Sequence, residues 1–286
     1  GEETASRPLE SLLKITESPA LKVPGEALQP ELDDDAYAGL VARTIEYVHA
    51  GDLFQANVAR RFSARVGLPS PSTRRLFATA LLQEAGAWFG AIIELDSPPH
   101  DATIISLSPE LFLQFDPVTR SLRTRPIKGT LPAGKDPDEL EKSEKDAAEL
   151  AMIVDLMRND LGRICETGSI EVVLPRGIES HPGIIHGVAE VSGRLHEDVR
   201  FGEMLRSTFP PGSVTGAPKV RAMQVIDELE PVRRGIYCGA LGYHSNCGRF
   251  ELDVSIRTLL LERITPATEQ PFSHRIQYGA GCGIVA

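Results

Sequence analysis

The sequence predicts an α+β fold built largely from antiparallel sheets. Two observations lead to this prediction: candidate strands come in runs rather than alternating strictly with helices, and neither an internal repeat nor an obvious linker divides the chain. With 286 residues, of which 42% are hydrophobic, the chain is long enough to bury a sizeable core. We therefore expect one domain at residues 34–286 after an irregular lead-in at residues 1–33.

Local patterns justify each element in turn. Three aspartates at 33–35 precede apolar residues at helical spacing, which predicts a helix that ends near Gly51. Apolar and polar residues then alternate over 54–66, with Phe54 on the apolar side, as in a half-buried strand. The remaining predictions are helices at 72–84, 137–160, 199–208 and 218–229, and strands at 88–95, 102–106, 111–115, 120–126, 169–174, 185–193, 236–244, 249–262 and 274–285.

Composition limits the possible functions. Lys and Arg total 30 against 40 for Asp and Glu, a net charge of −10, which argues against binding to nucleic acid or a membrane surface through bulk positive charge. The four cysteines form no C-x-x-C pair, which favours a reducing compartment. The longest uncharged apolar run, near 85–93, is too short to span a bilayer, and no signal-peptide pattern opens the chain. We expect a cytoplasmic protein, in which a local basic pocket for an acidic ligand remains possible.

A lysine and a glutamate near predicted strand ends are the first candidates for chemistry. In the segment 125–130, Gly129 lets the backbone approach a ligand closely, and Thr130 offers a hydroxyl to an oxyanion. Lys128, just before this predicted turn, could act as a nucleophile. Glu110 follows a strand, where a partly buried carboxyl could be a general acid. Both charged side chains could equally be solvent-exposed residues at strand ends.

Two carboxylates on the predicted helix 137–160 are candidates for metal binding. Asp146 and Glu149 are three residues apart, so they share one helix face and could hold a hard cation such as Mg²⁺. Glu149 also stands where the helix turns apolar, at residues 150–154, which places it at the margin of burial. The alternative is a solvated charged face, as most such segments are.

Two glycine-containing segments and three single residues complete the candidates. The loop 212–219 leads into a predicted helix with Pro218 at its first position, where free N–H groups and the helix dipole favour an anion, although a plain capped helix has the same pattern. The alternating glycines near 279–283 suit close contact with a ligand but also a bulge or a turn. The single residues are more often structural than functional, although an arginine can pair with a carboxylate: His186, Tyr237 and Arg257.

Taken together and in order, these segments closely resemble the chorismate-utilising enzymes, a family that includes the aminodeoxychorismate, anthranilate, isochorismate and salicylate synthases. The resemblance covers roughly residues 50–286. It is carried by the stretches 51–57, 108–111, 126–130, 155–161, 215–223, 234–243 and 279–281. It implies the family's fold, in which two packed, largely antiparallel β-sheets have helices outside and the active site lies between the sheets.

The resemblance also implies which residues bind chorismate and which perform catalysis. The two carboxylates of this substrate would explain a basic pocket in an acidic protein. Glu110 and Lys128 are implied to be catalytic, and Glu149 is implied to bind Mg²⁺, with Asp146 nearby directly or through water. The positions implied to contact the substrate are Gln55, Gly129, Thr130, His186, Thr215, Gly216, Tyr237, Arg257, Gly279, Ala280 and Gly281.

Two of these positions indicate the reaction within the family. Where this chain has Gln55, the water-using synthases carry a lysine that activates water, so glutamine implies that ammonia is the nucleophile. Where it has Lys128, anthranilate synthases typically carry alanine and aminodeoxychorismate synthases carry lysine. The resemblance is therefore closest to aminodeoxychorismate synthase component I. Anthranilate synthase component I is the alternative, and a non-catalytic chorismate-binding subunit is a rival of another class.

The implied reaction converts chorismate and ammonia to 4-amino-4-deoxychorismate, from which a lyase makes 4-aminobenzoate for folate. Ammonia would come from a glutamine amidotransferase, separate or fused, because no cysteine of this chain lies in a nucleophile-elbow context. In the family, further Mg²⁺-binding glutamates and a substrate-binding lysine follow the glycine segment. The resemblance thus implies that the C-terminal end of the family domain, and part of the metal site, falls after residue 286.

Overall fold

The computed structural model describes residues 23–97, 100–181, 183–264 and 272–285. These residues form two seven-stranded antiparallel sheets with helices packed against them, which confirms the predicted α+β class. No helix in this part of the chain has the length and apolar character that crossing a bilayer requires. The elements are β1 Gln29–Pro30, α1 Asp34–His49, β2 Gln55–Val66, α2 Pro71–Ala85, β3 Phe89–Ser97, β4 His100–Ser108, β5 Leu111–Asp116, β6 Ser121–Arg125, β7 Ile127–Pro132, α3 Pro137–Glu141, α4 Glu144–Gly162, β8 Glu171–His181, β9 Ile184–Arg194, α5 Phe201–Thr208, a 3₁₀ turn Gly212–Val214, β10 Gly216–Ala217, α6 Lys219–Leu229, β11 Ala240–His244, β12 Phe250–Val254, β13 Thr258–Arg263 and β14 His274–Val285.

The strand order brings distant parts of the chain together. The first sheet has the order β1-β2-β14-β13-β4-β3, and β10 pairs with β2. The second has the order β11-β12-β5-β6-β9-β7, and β8 pairs with β9. Strand β14 lies beside β2 over its whole length, so the glycines near the C-terminus lie next to the polar start of β2.

Apolar faces of the helices cover the sheets. Val48 of α1 and Ala222 of α6 pack around Ala56 of β2 on the first sheet. Ile153 of α4 and Met204 of α5 belong to the largest buried cluster, together with residues of the second sheet. Burial of these apolar stripes supplies most of the stabilisation that such short helices lack on their own.

Near the N-terminus, the structure confirms the helix predicted after residue 33. Asp33 is its N-cap, and the Asp33 side chain accepts a hydrogen bond of 2.8 Å from the Ala36 N–H. Within the lead-in, Gln29–Pro30 adds an edge strand to β2, and residues 1–22 lie outside the described part of the chain. The division at residue 33 stays a prediction.

Two long predicted elements are each divided in two. The predicted helix 137–160 consists of α3 and α4, because Ser143 caps α4 by accepting a hydrogen bond of 3.2 Å from the Asp146 N–H. The predicted strand 249–262 consists of β12 and β13. Arg257, between them, has a φ of 51°, which no regular strand accommodates.

One predicted turn is a strand. Residues 127–132, where the glycine indicated a turn, form β7, whose pairing with β9 is shifted between Ile127 and Thr130. The strand predicted at 274–285 is confirmed as β14, and the glycines at 279–281, for which a bulge or a turn was the alternative, lie inside it. Pairing with long neighbouring strands determines the backbone at both places.

The predicted alternation in β2 fails at its start. Phe54, expected to face the core, is 70% exposed, whereas Gln55 is fully buried. Residues 55–59 are all buried, because α1 and α6 cover one side of the strand and the space between the sheets lies on the other. A strand buried on both faces does not show a clean polar and apolar period.

Candidate active site

A cleft of about 310 Å³ lies between residues of both sheets and the segment that connects α5 to α6. This volume is at the lower end of the range for small-molecule sites. The cleft brings together most of the residues that the sequence pointed to: Glu110, Lys128, Gly129, Thr130, His186, Tyr237, Arg257, Gly279, Ala280 and Gly281.

Glu110 is a buried carboxylic acid in the turn just before β5. Its turn is held by two hydrogen bonds, from Ser108 Oγ to Val254 O (2.7 Å) and from the Val254 N–H to Glu110 O (3.0 Å). Glu110 is 3% exposed, and this burial raises the pKa of the carboxyl to about 7, although the Ser213 hydroxyl and the charge of Lys128 act to lower it. A large fraction of Glu110 therefore keeps its proton near neutral pH, as a general acid requires.

Lys128 lies in β7 with its amine beside Glu110. Its Nζ donates to Ser213 O (3.2 Å), so Ser213 contacts both the acid and the amine. Glycines on either side fix this stretch of backbone: Gly129 has a φ of +81°, and a Cβ on Gly187 of the facing strand would stand 2.5 Å from Lys128 O. The position of the amine thus depends on close contact between two strands.

Thr130, His186 and Arg257 form a hydrogen-bonded chain on one wall of the cleft. Arg257 Nη2 lies 3.3 Å from His186 Nε2, and because a guanidinium only donates, this ring nitrogen must accept. His186 then carries its proton on Nδ1 and donates it to Thr130 Oγ1 (3.0 Å). Burial lowers the pKa of His186 to about 4, so the ring is neutral near pH 7. The Thr130 hydroxyl is left to donate its own hydrogen to an anion.

Arg257 gives the cleft a second cation beside Lys128. Its left-handed backbone is uncommon for a residue other than glycine, and its carbonyl oxygen is held by the Leu107 N–H at 3.1 Å. Two cationic side chains in a protein of net charge −10 suit a ligand with two negative groups.

Alternate glycines of β14 clear the space between the sheets. Gly279, Gly281 and Gly283 share one face of the strand, because every second residue of a strand points the same way. A Cβ on Gly279 would stand 2.3 Å from the Tyr237 ring, so a larger residue there would displace this ring. By the same alternation Ala280 directs its side chain to the opposite face of β14, and it too lines the cleft.

Thr215 and Gly216, which the resemblance implied to bind substrate, are not among the cleft-lining residues. Thr215 is 2% exposed, and its Oγ1 donates to Pro211 O at 2.8 Å. Gly216 packs against β2 so closely that a Cβ would stand 2.2 Å from Gln55 O. Both residues hold the segment that supplies Ser213 to the cleft.

The N-terminus of α6, expected to favour an anion, contains an ion pair instead. Pro218 is the N-cap and α6 begins at Lys219, one residue later than predicted. Lys219 Nζ contacts the Asp160 carboxylate and donates to Thr208 O (2.7 Å). The first turn of α6 is not among the residues that line the cleft.

Asp146 and Glu149 lie on the side of α4 that approaches β7. A Cβ on Gly129 would stand 3.0 Å from Asp146 Cγ, so this carboxyl group touches the wall of the cleft. Glu149 follows one turn later, its side chain 14% exposed and its carboxylate 3.8 Å from Lys145 Nζ. Two carboxylates on one helix face suit a cation that takes its other ligands from water and substrate. Among the described residues, no group of three or more His, Cys, Asp or Glu could hold a metal ion.

Several cleft residues escaped sequence reasoning. Asn57 and Gly283 could have been found, because each continues a period-two pattern from a residue already chosen, Gln55 and Gly281. Ser213 belongs to the loop 212–219, a candidate anion site in the sequence, but nothing in the sequence distinguished this serine from the other residues of the loop. Its role depends on contacts with Lys128 and Glu110, which lie about 85 and 100 positions earlier in the chain.

The fold and the cleft define the class of protein: an α+β protein of two antiparallel sheets, with a cleft between them that is lined by two cationic side chains and a buried carboxylic acid. Its sequence assigns the family, because the profile described as chorismate binding enzyme matches residues 2–286. The chain therefore belongs to the chorismate-binding enzyme family, which confirms the resemblance seen in its motifs.

Individual relatives agree with this assignment. Aminodeoxychorismate synthase component 1 of Escherichia coli is 42% identical over 265 residues, covering 90% of this chain and 54% of the relative. Anthranilate synthase component 1 of Thermus thermophilus is 36% identical over 261 residues, covering 84% and 53%. The crystal structure of anthranilate synthase component I from Streptococcus pneumoniae matches with a TM-score of 0.76 and 32% identity, covering 97% of this chain and 60% of that one. The chain spans about half the length of the curated relatives it matches.

Proposed function

We propose that this protein converts chorismate and ammonia to 4-amino-4-deoxychorismate. The observation that carries the proposal is the contact of Ser213 with two groups at once, the buried acid Glu110 and the amine of Lys128. An acid and a nucleophile at one point of an anion-binding cleft suit the displacement of a poor leaving group such as hydroxide. Identities of 39–44% to aminodeoxychorismate synthase component 1 proteins support the same reaction.

Substrate binding follows from the cations and donors of the cleft. Arg257 and the Thr130 hydroxyl would pair with one carboxylate of chorismate, and the His186 ring would keep both in place. Asp146 and Glu149, on one face of α4, would hold Mg²⁺ together with ligands from water and substrate; when bound, the ion would neutralise the charge of the other carboxylate.

The reaction would take place in two displacements. In the first, the unprotonated Lys128 amine adds to C2, the ring double bonds C1=C2 and C5=C6 shift to C1=C6 and C4=C5, and the C4–O bond breaks as Glu110 protonates the hydroxyl, which leaves as water. In the second, ammonia adds to C4, the double bonds shift back, and the bond between C2 and Lys128 breaks with its electron pair returning to the amine. The new C4 ammonium gives its extra proton to the Glu110 carboxylate, which restores the acid.

The source of ammonia would be a glutamine amidotransferase. The relatives are named as component 1 of their synthases, which supports a second component that supplies the nucleophile. A lyase acting on the product would then form 4-aminobenzoate, the folate precursor.

A product assay tests the proposal. Purified protein receives chorismate, Mg²⁺ and ammonium, and the product is identified by mass and fluorescence before and after addition of a 4-aminobenzoate-forming lyase. We expect 4-aminobenzoate only after the lyase is added. Anthranilate as the main product would assign the alternative reaction, isochorismate or salicylate would refute ammonia as the nucleophile, and no product would indicate a binding subunit.

The role of Lys128 has a separate readout in the absence of ammonia. Intact-mass spectrometry should then find an adduct of chorismate less water on Lys128. Lys128→Arg keeps the charge but lacks an available lone pair, so both the adduct and the activity should be lost. Full activity of this variant, or an adduct on Lys219, would contradict the nucleophilic role.

A further inference from the structure

A buried arginine behind the cleft joins two of the segments that form its walls. The Arg234 guanidinium donates to Asn57 O of β2 (2.6 Å) and to Val214 O (2.9 Å), which belongs to the residue after Ser213. Asn57, Ser213 and Val214 line the cleft, whereas Arg234 is not among the lining residues. The guanidinium therefore acts on the cleft only through the main chain of these two segments.

Glu230, the C-cap of α6, holds this guanidinium in a two-pronged ion pair. Its Oε1 and Oε2 accept from Arg234 Nη2 (2.6 Å) and Nε (2.9 Å), and Oε1 also accepts from the Ala59 N–H of β2 (2.8 Å). The side chains of Arg234 and Glu230 are 17% and 6% exposed. A bidentate pair of arginine and carboxylate has a defined geometry, so Glu230 fixes the guanidinium relative to β2.

The turn that bears Ser213 depends on contacts of this kind. The main-chain hydrogen bonds within the turn are long, at 3.3 and 3.4 Å. Ser213 nevertheless has to meet two partners, because its hydroxyl bonds to Glu110 and its carbonyl oxygen accepts from Lys128 Nζ (3.2 Å). A small shift of the turn would therefore change both contacts together.

We propose that Arg234 is a positioning residue for the proposed reaction: it fixes Ser213 and, through Ser213, the catalytic acid and amine. The proposal rests on the proposed function. The acid and the amine must reach the same substrate ring, and a displacement of about 1 Å can cost about 10²-fold in rate. Arg257, the cation proposed to bind a carboxylate, lies between β12 and β13, so substrate binding should depend little on Arg234.

Steady-state kinetics of the double variant Arg234→Met with Glu230→Gln test this role. Glutamine keeps an acceptor for β2 without leaving an unpaired buried carboxylate, so the variant should fold, which circular dichroism and urea denaturation check. Its kcat should fall about 10²-fold, and the Lys128 adduct should form about 10²-fold more slowly without ammonia, whereas KM for chorismate should change less than about threefold. Arg74→Met with Glu94→Gln is the matched control, because this ion pair (3.2 Å) joins α2 to β3 and neither residue lines the cleft. The control should leave kcat unchanged.

The pH profile shows whether Arg234 acts through Ser213. Burial raises the pKa of Glu110, and the Ser213 hydroxyl, Lys128 and Arg257 reduce this effect. Displacement of Ser213 in the double variant should therefore raise the pH at which kcat/KM, expressed per concentration of unprotonated ammonia, begins to fall. The same change in a Ser213→Ala background should cause no further shift, because the contact through which it acts is already gone. A role in stability alone would leave the pH profile in place.

Guanidinium ion provides a second readout, in Arg234→Ala. A cavity of about 660 Å³, lined by both Glu230 and Arg234, gives the ion access to the place of the removed side chain, and the ion carries the same planar set of donors. Guanidinium chloride, at concentrations that do not unfold the protein, should raise kcat of this variant several-fold, whereas sodium chloride should not.

Four results would overturn the inference: wild-type kcat in the folded double variant, an equal loss in the control, an unchanged pH profile, or no rescue of folded Arg234→Ala. Failure of the proposed function is distinguishable, because the wild type would then form neither adduct nor 4-amino-4-deoxychorismate.

Discussion

Burial, rather than a single charged partner, determines the protonation of Glu110. Removal from water raises the pKa of its carboxyl, and the neighbours, namely the Ser213 hydroxyl, Lys128 and Arg257, only reduce that effect. The protonated form, which is the acid that the proposed mechanism needs, is therefore present below about pH 7 and lost as the pH rises through that value.

This leads to a prediction for Glu110→Gln. The wild-type kcat/KM, expressed per concentration of unprotonated ammonia, should fall about tenfold per pH unit above pH 7, which forms an alkaline limb of the pH profile. The variant should be about 10²–10⁴-fold less active, and its pH profile should lack this limb. Initial rates between pH 5.5 and 9 provide the measurement. Ser213→Ala removes a hydrogen bond that lowers the pKa of Glu110, so it should move the limb to higher pH. Persistence of the limb in Glu110→Gln would assign it to another group.

Sequence reasoning found single residues where the chemistry of one side chain was informative. Glu110, Lys128 and Arg257 are charged residues, and all three line the cleft. The sequence could not rank the residues of the loop 212–219: the Thr215 hydroxyl bonds within its own turn, whereas Ser213, two residues earlier in the same loop, lines the cleft.

Helices and strands were predictable where the pattern is local. Asp33, one of the aspartates predicted to cap the first helix, is the N-cap of α1, and the helix predicted at 72–84 is α2, Pro71–Ala85. Prediction failed where strand pairing or helix capping determines the secondary structure. Residues 127–132 form the strand β7 because β9 lies beside them, and the predicted helix 137–160 is interrupted because Ser143 caps a second helix. Neither effect is visible in hydrophobic spacing alone.

The ion pair between Lys219 and Asp160 connects three helices. Lys219 opens α6, Asp160 lies near the end of α4, and Thr208, whose carbonyl oxygen also accepts from Lys219, ends α5. Burial raises the pKa of Asp160 and lowers that of Lys219, and in each case it outweighs the attraction of the partner. The pair therefore fixes the arrangement of the helices more than it adds net stability.

Replacing one partner of this ion pair should destabilise the fold much more than replacing both. Lys219→Met leaves the Asp160 carboxylate buried without its cation and should lower the free energy of unfolding by about 3–5 kcal/mol, whereas Lys219→Met with Asp160→Leu should recover most of this loss. Urea denaturation measures both. Lys142→Met is the control, since Lys142 pairs with Asp138 on the exposed surface of α3, and it should have no measurable effect. A single variant as stable as the wild type would show that the pair does not hold the helices.

The two sheets are joined beside the cleft by a buried polar contact. Ser106 of the first sheet donates to Asp253 Oδ2 of the second at 2.6 Å, and Asp253 Oδ1 accepts from the Leu241 N–H (3.0 Å) and Ser255 Oγ (3.2 Å). The strand that bears Asp253 ends just before Arg257, so this contact fixes one wall of the site relative to the other. The sequence could not predict it, because the partners are about 150 positions apart and neither belongs to a motif.

The protonation of Asp253 should make the stability of the whole fold depend on pH. Burial raises the pKa of Asp253 from 3.8 to about 6, so the folded protein binds a proton that the unfolded chain has released, and this contribution to stability is present below pH 3.8 and lost as the pH rises to about 6. Asp253→Asn keeps the size and most hydrogen bonds without the charge. The free energy of unfolding of Asp253→Asn minus that of the wild type should therefore increase by up to about 3 kcal/mol between pH 4 and pH 6 and then level off. Urea denaturation at pH 4 to 8 measures this difference.

Ser106→Ala removes a hydrogen bond that favours the charged form of Asp253, so the stability of this variant should fall further than that of the wild type as the pH rises. A difference between wild type and Asp253→Asn that is the same at every pH would mean that Asp253 is ionised throughout and joins the sheets as a carboxylate.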